Sequence, residues 1–321
     1  MAWPLAAGAP APAALGFART FGMRVALLLA LLALLGSQVA CGEEDSGASE
    51  DGLAVPWVDP DGEPPYIGSL SVNPSDGSLL MGTNTGLFKF SRDGGTPAKV
   101  TGDLRTPDGS GKISESLVAR FVGPDELIAS GHPSSGSTLP PVLGLIRSGD
   151  AGRTWEPVSE LGSSDFHALS TSGELLVAPL YGQAQILVSR DRGRTFEPRV
   201  APMALVDLAV DPGDPARWTG TSEQGIFVSV DEGRSWRQRD PTPNVRLAWA
   251  QPEEFYRIDP GGPVKVSSDG GETWQDRGSA GGEPQALTVD EQGTLFTAAF
   301  DGTVQRSEDA GRTWREIVPG G

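Results

Sequence analysis

The 321-residue chain holds two histidines, His132 and His167, and Asp165 lies two residues before the second. Imidazole nitrogens beside a carboxylate can grip a polar ligand or orient one another; each ring can also simply tie down a loop. With two imidazoles and one cysteine, Cys41, far away near the N-terminus, no metal and no cofactor is expected. His132 opens a Pro/Ser/Gly-rich stretch, residues 132–141, that reads as a binding lip or as a solvent loop. Tyr181, in the matching loop one repeat later, offers a ring that can stack on a sugar or shield a channel. Arg257, Asp259 and Asp301 complete the ligand-binding candidates. A glycosidase needs only two carboxylates at a suitable separation. Asp165, Glu223, Asp259 and Asp301 are available, but no pair stands out, and no catalytic residue is assigned.

The elements that must position these groups are announced by a repeat. The octapeptide Ser-x-Asp-x-Gly-x-Thr/Ser-Trp/Phe occurs at Ser148–Trp155, Ser189–Phe196, Ser229–Trp236, Ser267–Trp274 and Ser307–Trp314, with a degenerate copy from Ser91. Its aspartates are Asp93, Asp150, Asp191, Asp231, Asp269 and Asp309, and the last four intervals are 41, 40, 38 and 40 residues. Between boxes, short β-prone runs alternate with Gly/Pro/Asp turns, four runs per repeat, and no apolar period of 3.6 is sustained. The chain is therefore expected to be all-β, a six-bladed β-propeller with seven blades as the alternative. The blades are placed at about 66–102, 114–161, 165–200, 205–240, 245–279 and 284–319. Each box Asp is expected to accept backbone N–H groups in a tight turn, the Gly to supply a positive φ, and the aromatic ring to pack between sheets. A calcium loop is the rival reading, and the one or two carboxylates per box argue against it.

The ends carry different information. Residues 1–40 contain no acid, and Arg24 precedes the apolar run Val25–Leu35, which is too short for a spanning helix and reads as a secretory signal, with Met23 as a possible start. Gln38-Val39-Ala40-Cys41 is similar to a bacterial lipoprotein cleavage box, which implies a lipid on Cys41 and a membrane-anchored, exported protein. Residues 41–64 are expected to be a flexible tether before a propeller spanning 65–321. Without residues 1–40 the chain keeps 23 basic and 42 acidic side chains, a net charge of −19. That charge repels nucleic acid, which is not an expected partner.

The boxes resemble the Asp-box, or BNR, repeats of sialidases, sortilin-type receptors and photosystem-assembly propellers. The chain from Cys41 onward resembles an Asp-box family of exported bacterial proteins described as glycosyl hydrolase or exo-alpha-sialidase-like. The resemblance is carried by Ser130-Gly131-His132-Pro133, Leu139-Pro140-Pro141, Leu143-Gly144-Leu145-Ile146, Asp165-Phe166-His167-Ala168-Leu169 and Leu79–Phe88. The family's His-x-His-Gly stands here as Tyr66-Ile67-Gly68-Ser69, and a further family histidine as Asn84. The resemblance implies that the boxes lie on one face and that ligands meet the other. A sialidase would need an arginine cluster and a Tyr–Glu pair. Most arginines sit in or beside boxes, and only Tyr66, Tyr181 and Tyr256 are available. The expectation is a surface-anchored, non-catalytic propeller binding a glycan, peptide or protein partner. A glycoside hydrolase acting on an extracellular carbohydrate is the alternative.

Overall fold

The computed structural model describes residues 65–107 and 109–320. The signal expected at 1–40, the Cys41 anchor and the tether at 41–64 lie outside the described residues. Among the described residues the regular structure is entirely strand.

The first sheet takes β1 (Ile67–Val72), β2 (Leu79–Thr83), β3 (Gly86–Ser91) and β4 (Gly94–Val100) in sequential antiparallel order. Four more sheets repeat that order. They are β10 (Ser170–Ser172) to β13 (Glu197–Val200), with β11 (Leu175–Pro179) and β12 (Gln185–Ser189), and β14 (Asp207–Val210) to β17 (Arg237–Asp240), with β15 (Trp218–Ser222) and β16 (Gly225–Ser229). The last two are β18 (Arg246–Gln251), β19 (Glu254–Ile258), β20 (Pro263–Ser267) and β21 (Gln275–Ser279), then β22 (Pro284–Val289), β23 (Leu295–Ala299), β24 (Val304–Ser307) and β25 (Arg315–Val318).

This topology corrects the expected blade count of six, or seven. Among the described residues there are five four-stranded blades. The chain between β4 and β10 instead forms a closed five-stranded sheet from β5 (Gly102–Thr106), β6 (Gly109–Gly123), β7 (Glu126–Pro133), β8 (Leu145–Ser148) and β9 (Thr154–Ser159). The cause is the length of β6, 15 residues. Its first part pairs antiparallel with β5, and β5 lies parallel to β9, with Asp103 opposite Thr154 and Leu104 opposite Trp155. The outer edge that a four-stranded blade leaves open is thus occupied. Gly102 lies so close to Trp155 that an added Cβ would come within 2.3 Å of the indole Nε1, so the β9 indole packs directly on bare β5 backbone.

The core sits between neighbouring sheets. Val118, Ile128 and Leu145 of the closed sheet pack on Phe166, Leu176 and Leu187, and Val177 and Val188 of the next sheet pack on Leu208 and Trp218. The first and last blades share one cluster, in which Leu70, Met81 and Phe88 meet Phe296, Ala298 and Ile317. Polar contacts reinforce that junction. The Gln285 Oε1 accepts the Ile67 N–H at 2.5 Å, and Arg306 reaches Asp93 at 2.6 Å. The Arg92–Asp290 ion pair, at 2.7 Å, adds a third link.

The octapeptide turns are closed by their own side chains. At Asp231 the Ser229 hydroxyl donates to Oδ1 and accepts the Gly233 N–H, both at 2.8 Å. The Ser235 N–H donates to Oδ1 at 2.8 Å and its hydroxyl to Oδ2 at 2.6 Å. The same bonds recur at Asp150, Asp191, Asp269 and Asp309. In the degenerate copy Pro97 stands at the Thr/Ser position, and Asp93 pairs with Arg306 of the last blade instead. In the four-stranded blades each such turn joins the third strand to the fourth, and the Asp150 turn joins β8 to β9 of the closed sheet, whereas the chain enters each blade's first strand at the other end. The five closed turns and the entries to β1, β10, β14, β18 and β22 therefore lie on opposite faces.

Candidate functional site

The inner strands β1, β6, β10, β14, β18 and β22 surround a channel of about 1080 Å³. Its mouth is the face where these inner strands begin in the five blades. Four of the predicted residues meet there. Phe166 is fully buried, and its N–H donates to the Ser130 hydroxyl at 3.2 Å. This bond fixes the residue between Asp165 and His167 against β7, two residues before His132. The Tyr181 N–H donates to the Asp165 carbonyl at 3.1 Å, which adds the β11–β12 turn to the same spot.

The resulting geometry is compact. Asp165 Oδ2 lies 3.3 Å from His167 Nε2 and 3.6 Å from His132 Nε2. One ligand atom from each of the three side chains falls within 4.8 Å of the others. His132 Nδ1 is 2.8 Å from the Pro141 carbonyl oxygen. A carbonyl can only accept, so Nδ1 donates to it, and the ring is turned with Nε2 facing Asp165. His167 Nε2 is near Asp165 but off the line of a hydrogen bond, and both of its ring nitrogens, with Asp165 Oδ1, are buried without a hydrogen-bond partner. Burial works against ionisation of Asp165, but His167 and then His132 outweigh it and hold its pKa below the ordinary carboxylate value.

Two aromatic rings flank this group. Tyr181, 62% exposed, stacks on His167 with ring centroids 3.9 Å apart and planes at 22°. Tyr66 lies 6.4 Å from the same imidazole. Burial pushes the Tyr66 hydroxyl pKa up; Arg246 opposes this, while Tyr181 and Asp207 add to it.

Arg120, Asp207 and Arg246, absent from the sequence-based candidates, also line the channel. Asp207 Oδ1 accepts the Leu208 N–H at 2.8 Å and Oδ2 the Leu247 N–H at 2.9 Å. Burial nevertheless raises its pKa, against the pull of Arg246, these two bonds and Arg120. A positional signal for part of this set exists in the sequence. His167, Asp207, Arg246 and Gln285 follow one another at intervals of 40, 39 and 39 residues, one polar side chain per repeat at or just before the start of an inner strand.

The other candidates lie elsewhere. Arg257 is 2% exposed and pairs with Asp240 at 2.7 Å and Asp259 at 3.0 Å, its guanidinium 5.0 Å from the Trp274 ring. Lys265 reaches Asp259 at 3.3 Å. These charges satisfy one another across two neighbouring blades and do not line the channel. Asp301 accepts the Thr303 N–H at 3.0 Å in the β23–β24 turn and is not among the channel-lining residues.

No protein-family model and no curated protein matches the chain. Among solved structures, the WD40 β-propeller domain of Doa1 is similar at 11% identity and a TM-score of 0.50, over 80% of this chain and 84% of that one. The chain is a β-propeller. YCF48 bound to D1 peptide resembles this propeller at 17% identity and a TM-score of 0.50, over 75% of this chain and 77% of that one. An ancestral GH74 enzyme aligns with 81% of the propeller chain at 12% identity and a TM-score of 0.49, and the chain spans 39% of that enzyme's length.

Proposed function

We propose that this propeller is an exported, surface-anchored binding protein that takes a glycan, peptide or protein partner at the channel mouth, without catalysis. The observation that carries this reading is the ledge of Tyr181 on His167, an exposed ring set over half-buried polar groups at the opening of a channel. Such a ring offers apolar area at little entropic cost, and the carboxylate and imidazoles beside it supply direction. The solved complex of YCF48 with a peptide gives a precedent for a peptide on a similar fold. A glycan array and a peptide library, read with the parent chain and Tyr181→Ala, test the proposal. A ligand weakened at least about tenfold by Tyr181→Ala, the scale of about 1.4 kcal/mol, is expected. Ligands that bind both chains equally place the partner elsewhere.

A glycoside hydrolase is the second reading, favoured by the opposite pKa shifts of two carboxyl groups near the mouth, Asp165 lowered and Asp207 raised. Acid and base roles are divided in that way in carbohydrate hydrolysis. Turnover of fluorogenic glycosides that is lost in both Asp165→Asn and Asp207→Asn, with folding intact, would replace the first reading.

The closed octapeptide turns, each holding its Asp between a Ser and a Thr or Ser hydroxyl, support their assignment as Asp boxes. The proposed anchor rests on Cys41 following the apolar run and small residues. Incorporation of a fatty-acid analogue that disappears in Cys41→Ser is the expected result, and persistence of the label removes Cys41 as its site.

A further inference from the structure

We infer that His132, Asp165 and His167 form a three-ligand site for a divalent transition metal of the zinc class. Two imidazole nitrogens and one carboxylate oxygen are a donor set that zinc accepts, with a further position left for water or a ligand oxygen. Tetrahedral zinc with bonds of about 2.0–2.2 Å places its donor atoms about 3.3–3.5 Å apart. The Asp165 carboxylate already stands 3.3 and 3.6 Å from the two imidazoles.

Three features separate this cluster from a chance meeting of polar groups. The first is the orientation of His132. The Pro141 carbonyl accepts a hydrogen bond from Nδ1–H and turns Nε2 towards Asp165, the second contact that metal-bound histidines characteristically make. The second is the set of orphaned atoms. His167 Nε2 and Asp165 Oδ1 are buried without hydrogen-bond partners, which is costly for groups that have no ion to bind. The third is rigidity. The Phe166–Ser130 bond, the Tyr181–Asp165 bond and the Tyr181 stack hold the donor-bearing segments from both sides. Calcium and magnesium prefer cages of oxygen, so the two imidazoles select against them. This site shares the mouth with the proposed partner surface but does not depend on it, because the metal needs only these three side chains.

The test titrates the full chain, freed of metal by dialysis against chelator, with Zn²⁺ by calorimetry and with Co²⁺ by visible absorption. One equivalent is expected, with the d–d bands of low-coordinate cobalt and no thiolate charge-transfer band from Cys41. His132→Gln, Asp165→Asn and His167→Gln are each expected to weaken binding at least about tenfold, and Tyr181→Ala to keep the stoichiometry. Near-UV circular dichroism of each variant separates loss of a ligand from loss of fold. Should Asp165→Asn or His132→Gln, shown to be folded, bind Zn²⁺ as tightly as the parent, the site is refuted. Absence of stoichiometric binding by the parent chain refutes it equally. Partner binding measured in chelator reports on the proposed function alone, so the two ideas can fail separately.

Discussion

Gly233 allows the packing of the octapeptide turn to be measured. Its φ is +74°, and an added Cβ would stand 2.3 Å from Cζ3 and 2.8 Å from Cε3 of Trp218, a fully buried ring whose Nε1 donates to the Pro215 carbonyl at 2.8 Å. Gly173 has a similar φ, +61°, with nothing within 4 Å of its would-be Cβ. Alanine costs about 1–2 kcal/mol at either position for the left-handed backbone. At Gly233 the ring must also move within a packed core, which adds about 1–3 kcal/mol. The expected destabilisation is therefore about 2–5 kcal/mol for Gly233→Ala and about 1–2 kcal/mol for Gly173→Ala. Urea unfolding gives both values, and thermal unfolding should separate the variants by about 2–4 °C per kcal/mol of difference. Trp218→Leu in the Gly233→Ala background should cost less than the sum of the two changes, because the clash disappears with the ring. Equal destabilisation by the two glycine variants would refute the close approach of turn and ring.

Gln285→Leu is expected to cost about 1–3 kcal/mol in urea unfolding, because it leaves the buried Ile67 N–H at the ring junction unsatisfied; no change would mean that the junction is held by apolar packing alone. Arg257→Met, which removes the buried guanidinium shared by Asp240 and Asp259, should destabilise by about 3–5 kcal/mol without affecting ligand or metal binding at the mouth. Acid unfolding should report the turns. Asp231, held at about 2 by the Ser235 hydroxyl and then its N–H, and Asp309, held at about 2 by the Thr313 hydroxyl and then its N–H, are ionised more strongly folded than unfolded. Their contribution is complete above the unfolded pKa near 4 and is lost as pH falls towards 2. A flatter stability profile between about pH 4 and 2 is expected for Asp231→Asn, and an unchanged slope would deny the turn its role.

How much of this was legible in the sequence follows from how local each interaction is. The octapeptide could be read because its bonds link residues two and four apart, so eight letters specify one turn. The closed sheet could not. Pairing of β5 with β9 joins Asp103 to Thr154 across a hairpin and a long loop, and the 57-residue gap between Asp93 and Asp150 announces extra chain but not where it packs. His132, Asp165 and His167 stood out through the scarcity of histidine, but their convergence depends on Ser130 catching the Phe166 N–H from a neighbouring sheet. Asp207 and Arg246 are not legible as site residues because charge on an inner strand reads as an interruption of the core, whereas a channel gives it a place to point. Arg257 and Asp259 are conspicuous charges on one face of a strand end, and the structure spends them on each other.

The junction made by Gln285 also sets an order in time. Ile67 receives its partner from a residue 218 positions later, and the cluster around Met81 and Phe88 is completed by Phe296 and Ile317. A chain growing from its N-terminus therefore carries one uncovered sheet face until its last blade arrives. Any fragment ending before β22 keeps that face open, so shortened chains should be the sticky ones, and the last blade acts as the clasp that makes the molecule safe to release.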